Sequence, residues 1–177
     1  TVYRHLRGHW TPQSAAEVLR QVGDPQGTLR AACRAGDIYL ARVLLNAGVR
    51  GEPSMYSDIP DTRCGDELFA RLAMAGVPLP PCADAPPPSI MTAAIRANNK
   101  FRVGCILSLG VRPAAEGHSA WLTLAIRLLL EDNSPTPGSD VTWLLFRYGA
   151  QADISTLTEG AARRWYTLLH LYNLLAK

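Results

Sequence analysis

Thr28-Leu29-Arg30-Ala31-Ala32-Cys33-Arg34-Ala35-Gly36-Asp37-Ile38-Tyr39-Leu40-Ala41-Arg42-Val43-Leu44-Leu45-Asn46-Ala47-Gly48-Val49 is the stretch whose reading decides the fold. It reads as a short helix through Ala35, a break at Gly36-Asp37 and a second helix from Ile38 to Asn46. Gly48 then stops the chain, where a helix end takes up positive φ at least cost. Each helix carries one apolar stripe, Leu29/Ala32/Cys33 on the first and Leu40/Val43/Leu44 on the second. A lone hairpin of this size buries too little to stand by itself, so it needs neighbours stacked above and below.

Those neighbours are visible along the chain. Thr92 to Val111 repeats the pattern 62 positions on, twice 31, with the same break, the same paired aliphatics and a terminal Gly110. A third copy opens at Trp121-Leu122-Thr123-Leu124-Ala125-Ile126-Arg127 and closes at Trp143-Leu144-Leu145-Phe146-Arg147-Tyr148-Gly149-Ala150. The polar, Pro/Gly-containing residues 131–140 separate its halves and read as an inserted loop. Between the first two copies, Gly65 to Val77 matches the second half of the unit with one residue deleted; its first helix is faint. Ser14-Ala15-Ala16-Glu17 has capping-box spacing ahead of a short amphipathic helix to Val22. Thr158 to Lys177 carries Trp165, Leu168, Leu169, Tyr172 and Leu175 at helical intervals, the pattern of a lid over the open end of a stack.

On these residues the chain resembles the ankyrin-repeat family, whose units of ~33 residues pair two antiparallel helices and join them with an extended turn. The small-residue pair of the first helix recurs as Ala32-Cys33, Ala94-Ile95 and Ala125-Ile126, and two aliphatics followed by Gly-Val or Gly-Ala recur as an ending. The family's T-P-L-H opening survives at best as Gly27-Thr28-Leu29-Arg30. The resemblance implies an all-α, ankyrin-like solenoid: residues 1–26 a cap or degenerate repeat, 27–157 about four units, 158–177 a capping helix. It also implies recognition of another protein, as adaptor or inhibitor, through the concave face and the finger loops. The departures from the consensus resemble those of divergent ankyrin proteins with which viruses and intracellular pathogens engage host factors.

Composition sets the outer limits. The 177 residues are 47% hydrophobic and 19% charged with a net charge of +3, which fits a folded core and falls short of the dense basic clustering of nucleic-acid binders. No stretch approaches the ~20 apolar residues that span a bilayer, and the first residues lack the order of a signal peptide. The chain opens on Thr1, as a trimmed chain would. Cys33, Cys64, Cys82 and Cys105 have no metal or redox spacing and read as buried or plain thiols, which favours an intracellular, cytoplasmic or nuclear setting.

The candidate binding residues follow from the repeat. Arg34, Arg96 and Arg127 each follow the small or aliphatic pair, on the first helix of a unit. A ladder of guanidinium groups there suits an acidic peptide or protein surface; the bland alternative is a solvated helix position. Arg50, Met55 and Tyr56 in the first long connection, and Arg112 in a later one, are the loop candidates, although Tyr56 and Ile59 equally suit a buried first helix. Pro78 to Pro81 and Pro86 to Pro88 read as stiff, extended spacer.

No phosphate-binding, nucleophile-elbow or zinc motif occurs, and His5, His9, His118 and His170 do not converge with other ligands, so neither an enzyme nor a cofactor is expected. Asp37 and Asp66 read as helix caps. Two further readings are self-association through the terminal helix, with Trp165 and Tyr172, and nucleic-acid binding along the arginines.

Overall fold

The computed structural model describes residues 17, 19–80, 89–111, 119–131 and 139–175. These residues form helices and no strand, so the chain is all-α. It divides into two compact units, Thr1–Pro80 and Pro81–Lys177. No helix among the described residues is long and apolar enough to cross a membrane.

In the first unit, α1 (Pro25–Ala35) and α2 (Ile38–Asn46) form a hairpin, followed by α3 (Met55–Asp58) and α4 (Arg63–Met74). The reason α1 starts where it does is local: Asp24 accepts the Gly27 N–H and Pro25 supplies a preset φ. It ends because Gly36 adopts φ +66°, letting the Gly36 and Asp37 N–H groups return to the carbonyls of Cys33 and Ala32. Asp37 then caps α2 by accepting from Leu40 N–H at 3.0 Å.

The second unit holds α5 (Ile90–Arg96), α6 (Lys100–Ser108), α7 (Ser119–Glu131), α8 (Ser139–Arg147), a short 3-10 turn (Ile154–Thr156) and α9 (Glu159–Leu175). Its first hairpin reproduces the break of α1 and α2 with different residues. Asn98 takes Gly36's place at φ +50° and Asn99 takes Asp37's. Their N–H groups return to Ile95 and Ala94, and Asn99 caps α6 by accepting from Arg102 N–H. Asparagine is the side chain best suited to left-handed backbone where glycine is absent. The second helices also end alike. Gly48, Gly76, Gly110 and Gly149 all lie between φ +77° and +90°, each donating to the carbonyl three residues before it.

Packing follows like with like. In the first unit α1 lies against α2 and α3, and α2 against α4; in the second, α5 lies against α6 and α7, α6 against α8, and α7 against α8 and α9. The first core is built from Leu29, Cys33, Leu44, Met55, Tyr56, Phe69 and Leu72, the second from Met91, Ile95, Ile106, Trp121, Leu122, Ile126 and Leu145. Fully burying such a side chain contributes about 1.5–3 kcal/mol against a backbone ordering cost of about 1–2 kcal/mol per residue, so one hairpin's stripe cannot hold it.

Two local expectations change, at the stripe of α2 and the cap of α4. The stripe of α2 is centred on Ala41 and Leu44, with Leu40 and Val43 only half-buried, because the helix presents one narrow face to both α1 and α4. The faint first helix of the second hairpin is the single turn α3. The cap of α4 is Thr62, which accepts the Gly65 N–H at 3.1 Å; Asp66 sits within the first turn instead. The capping box at 14–17 has only Glu17 within the described residues. His5, His9, Cys82, Arg112, His118, residues 81–88 and the centre of the inserted loop, 132–138, fall outside them.

Candidate partner-binding surface

Along α1, Gln26, Arg30 and Arg34 recur at four-residue intervals and therefore share one face. That face meets the segment around α3. Gln26 donates to Glu52 at 2.8 Å, Arg30 pairs with Glu52 at 2.7 Å and reaches Asp58 at 3.7 Å, and Arg34 Nε donates to Asp58 at 3.2 Å. Arg30 also donates to Ser54 Oγ. Arg34 is thus engaged inside the chain. Its side chain remains 62% exposed, so the pair by itself adds little stability, and the network is better seen as fixing the register of α3 on α1.

Beneath this network lies Cys33, fully buried. Burial disfavours its thiolate, and the nearby Asp58 charge adds to that while Arg30 opposes it; the thiol is pushed from its ordinary 9.0 up to about 11. Because the folded value is raised above the unfolded one, the stability it confers is intact below about pH 9 and is lost as pH rises toward 11. The expected result of iodoacetamide treatment at pH 8, read peptide by peptide in a mass spectrometer, is modification of exposed Cys64 and sparing of Cys33 until the chain is unfolded. Labelling of Cys33 at the Cys64 rate in the folded chain would contradict this placement.

In the second unit the same first-helix positions carry Thr92 and Arg96 on α5 and Thr123 and Arg127 on α7, 31 positions apart. The two helices pack on each other, and beside them runs an open groove of about 390 Å³ bordered by Thr92, Ala120, Thr123, Leu124, Arg127 and Asp153. Thr123 Oγ1 accepts from Asp153 N–H at 2.8 Å, which pins the 3-10 turn to α7. The Asp153 carboxylate accepts from Ser155 N–H and Oγ–H, at 3.1 and 2.6 Å. Arg127 donates to the Thr156 carbonyl at 2.7 Å. Arg96 is exposed and has no ion-pair partner among the described residues.

The loop candidates separate. Arg50 is exposed. Met55 and Tyr56 are not: they are 0% and 2% exposed, and the Tyr56 hydroxyl donates to the Val77 carbonyl at 2.9 Å. Of the two readings of that segment, the buried first helix is the one the structure holds, since a single turn can pack on α1 only through its largest apolar side chains. Trp165 of the terminal helix is buried as well, edge-on to Phe146 at 6.4 Å. His170 is exposed.

No family model, curated protein or solved structure matches this chain. The surface is therefore read from its own geometry. Sequence reasoning found the three arginines but missed Glu52, Asp58, Thr92, Thr123 and Asp153. The four-residue recurrence of Gln26, Arg30 and Arg34 was a legible signal for an acidic partner strip, and Ser54 and Asp58 show the same interval. Nothing local marked Asp153.

Proposed function

We propose that this chain is a divergent ankyrin-repeat protein that works as a protein-binding module of the adaptor or inhibitor type, without a cofactor, rather than as an enzyme. The observation that carries the reading is the recurrence of one hydrogen-bonding scheme. The return bonds at Gly36-Asp37 are repeated at Asn98-Asn99, and left-handed glycines close four second helices. A scheme conserved in bonds while its residues differ speaks for repetition of one unit, and repeated helical hairpins present rows of first-helix side chains suited to recognising extended protein surfaces. Host proteins inside the cell are the partner class that the departures from the repeat consensus favour. Fold does not choose the partner, so the test must.

Proteins captured from a cell lysate by the full chain are identified by mass spectrometry, purified, and titrated against it by calorimetry. The expected outcome is a protein that binds directly with a Kd of about 10 μM or tighter, near −7 kcal/mol. If no purified candidate binds, the binding-module reading is wrong. Arginine variants should be made with glutamine: Arg34→Glu would set a carboxylate against Asp58 and disturb α3 regardless of any partner.

A further inference from the structure

We infer that the α5 and α7 face of the second unit takes a carboxylate side chain from an acidic segment of a partner protein, held by Arg96 and by Arg127 at the border of the groove. The inference rests on the binding-module reading and names the chemistry of the ligand.

The chain supplies its own template. In the first unit, the helix packed against α1 brings an aspartate to Arg34, and Asp58 accepts from the guanidinium at 3.2 Å. In the second unit the corresponding arginine is Arg96, and the helix packed against α5 brings a second arginine, Arg127, at the same repeat position. One unit completes its pair internally; the other sets two cations on adjacent helices. An anion that reaches both helices would meet two guanidinium groups where Asp58 meets Arg34.

The donors needed are present. A guanidinium has five N–H donors, and Arg127 spends one on the Thr156 carbonyl. Arg96 is exposed with no ion pair among the described residues. Thr92 pairs with Ser89 Oγ at 3.1 Å and Thr123 accepts from Asp153 N–H, while the arginines offer the forked donor geometry that suits a carboxylate. The groove of about 390 Å³ bordered by Arg127 leaves room for the side chains flanking the acid. A nucleic-acid backbone fits less well. Asp153 on the groove border would repel a polyanion following it, while a single carboxylate can sit toward the arginines.

The probe is a peptide of residues 54–60 of this chain, blocked at both ends, in which Asp58 is the one charged residue. It is titrated into the ¹⁵N-labelled full chain while backbone amides and the arginine Nε–H signals are followed. Saturable shifts at Arg96 and Arg127 are expected. Affinity should fall about tenfold when the peptide carries Asp58→Asn, as expected for losing a charged hydrogen bond, and similarly in the Arg96→Gln chain. Arg34→Gln should leave it unchanged.

Equal binding of the Asn peptide, no effect of Arg96→Gln, or shifts centred elsewhere would overturn the inference. So would a ten-residue thymidylate that binds at these arginines more tightly than the peptide and loses affinity steeply with salt, since that is phosphate recognition. A partner protein that binds the chain yet ignores Arg96→Gln ends this inference alone and leaves the binding-module reading standing.

Discussion

Tyr56→Ala is expected to lower the unfolding free energy by about 3–5 kcal/mol, measured by urea titration followed at the helical circular-dichroism signal. The ring is 2% exposed and tilts against Phe69 with centroids 4.7 Å apart, so truncation removes a large aromatic from the centre of the first core. Its hydroxyl donates to the Val77 carbonyl, just after the left-handed Gly76 that closes α4, tying the start of that hairpin to its end. Tyr56→Phe isolates this second contribution. It should cost about 1–3 kcal/mol, because the Val77 carbonyl is left without its donor. A loss below about 1 kcal/mol for the alanine variant would mean the side chain is not in the core, and the surface reading of this segment would return.

Trp165→Ala should cost a comparable amount, about 3–5 kcal/mol, and its effect should be concentrated on the terminal helix. α9 packs on α7, and its Trp165, 3% exposed, also meets Phe146 of α8 edge-on. Ala161 of α9 is buried too, but its single methyl group is a far smaller anchor than the indole. Amide hydrogen exchange should therefore show faster exchange across α9 while α1 and α2 keep their protection. Protection unchanged in α9 would show that the helix is held by something other than this contact. The same variant bears on self-association: a residue buried within its own chain is not free to pair with a copy, so sedimentation velocity should give the same size for the variant and the parent chain.

The parts of the fold that could be read in advance share a physical origin. The break at Gly36-Asp37, the cap at Asp37 and the stop at Gly48 are bonds between groups a few residues apart, so residue type and order suffice. The equivalent break at Asn98-Asn99 uses different side chains for the same backbone need, and the 62-residue offset made it findable. The cap of α4 was misassigned because both Thr62 and Asp66 are competent acceptors, and only the backbone geometry distinguishes the cap from the first turn.

The candidate surface was legible as positions and illegible as chemistry. The repeat register placed Arg34, Arg96 and Arg127 on first helices, which amphipathic spacing can do. It treated them as one ladder of equivalents, and the structure gives each a different circumstance: Arg34 meets Asp58, Arg127 meets the Thr156 carbonyl, and Arg96 is left exposed.

By itself the sequence determined that this chain is helical and where its clearest hairpins turn, because those are settled by hydrogen bonds and side-chain periodicities within one or two turns. The burial of Met55 and Tyr56, the pairing of Arg34 with Asp58 and the pinning of the 3-10 turn to Thr123 were decided only by the tertiary structure. Each joins groups more than twenty residues apart, and which of several chemically adequate partners meet at that range is set by the stacking of whole helices.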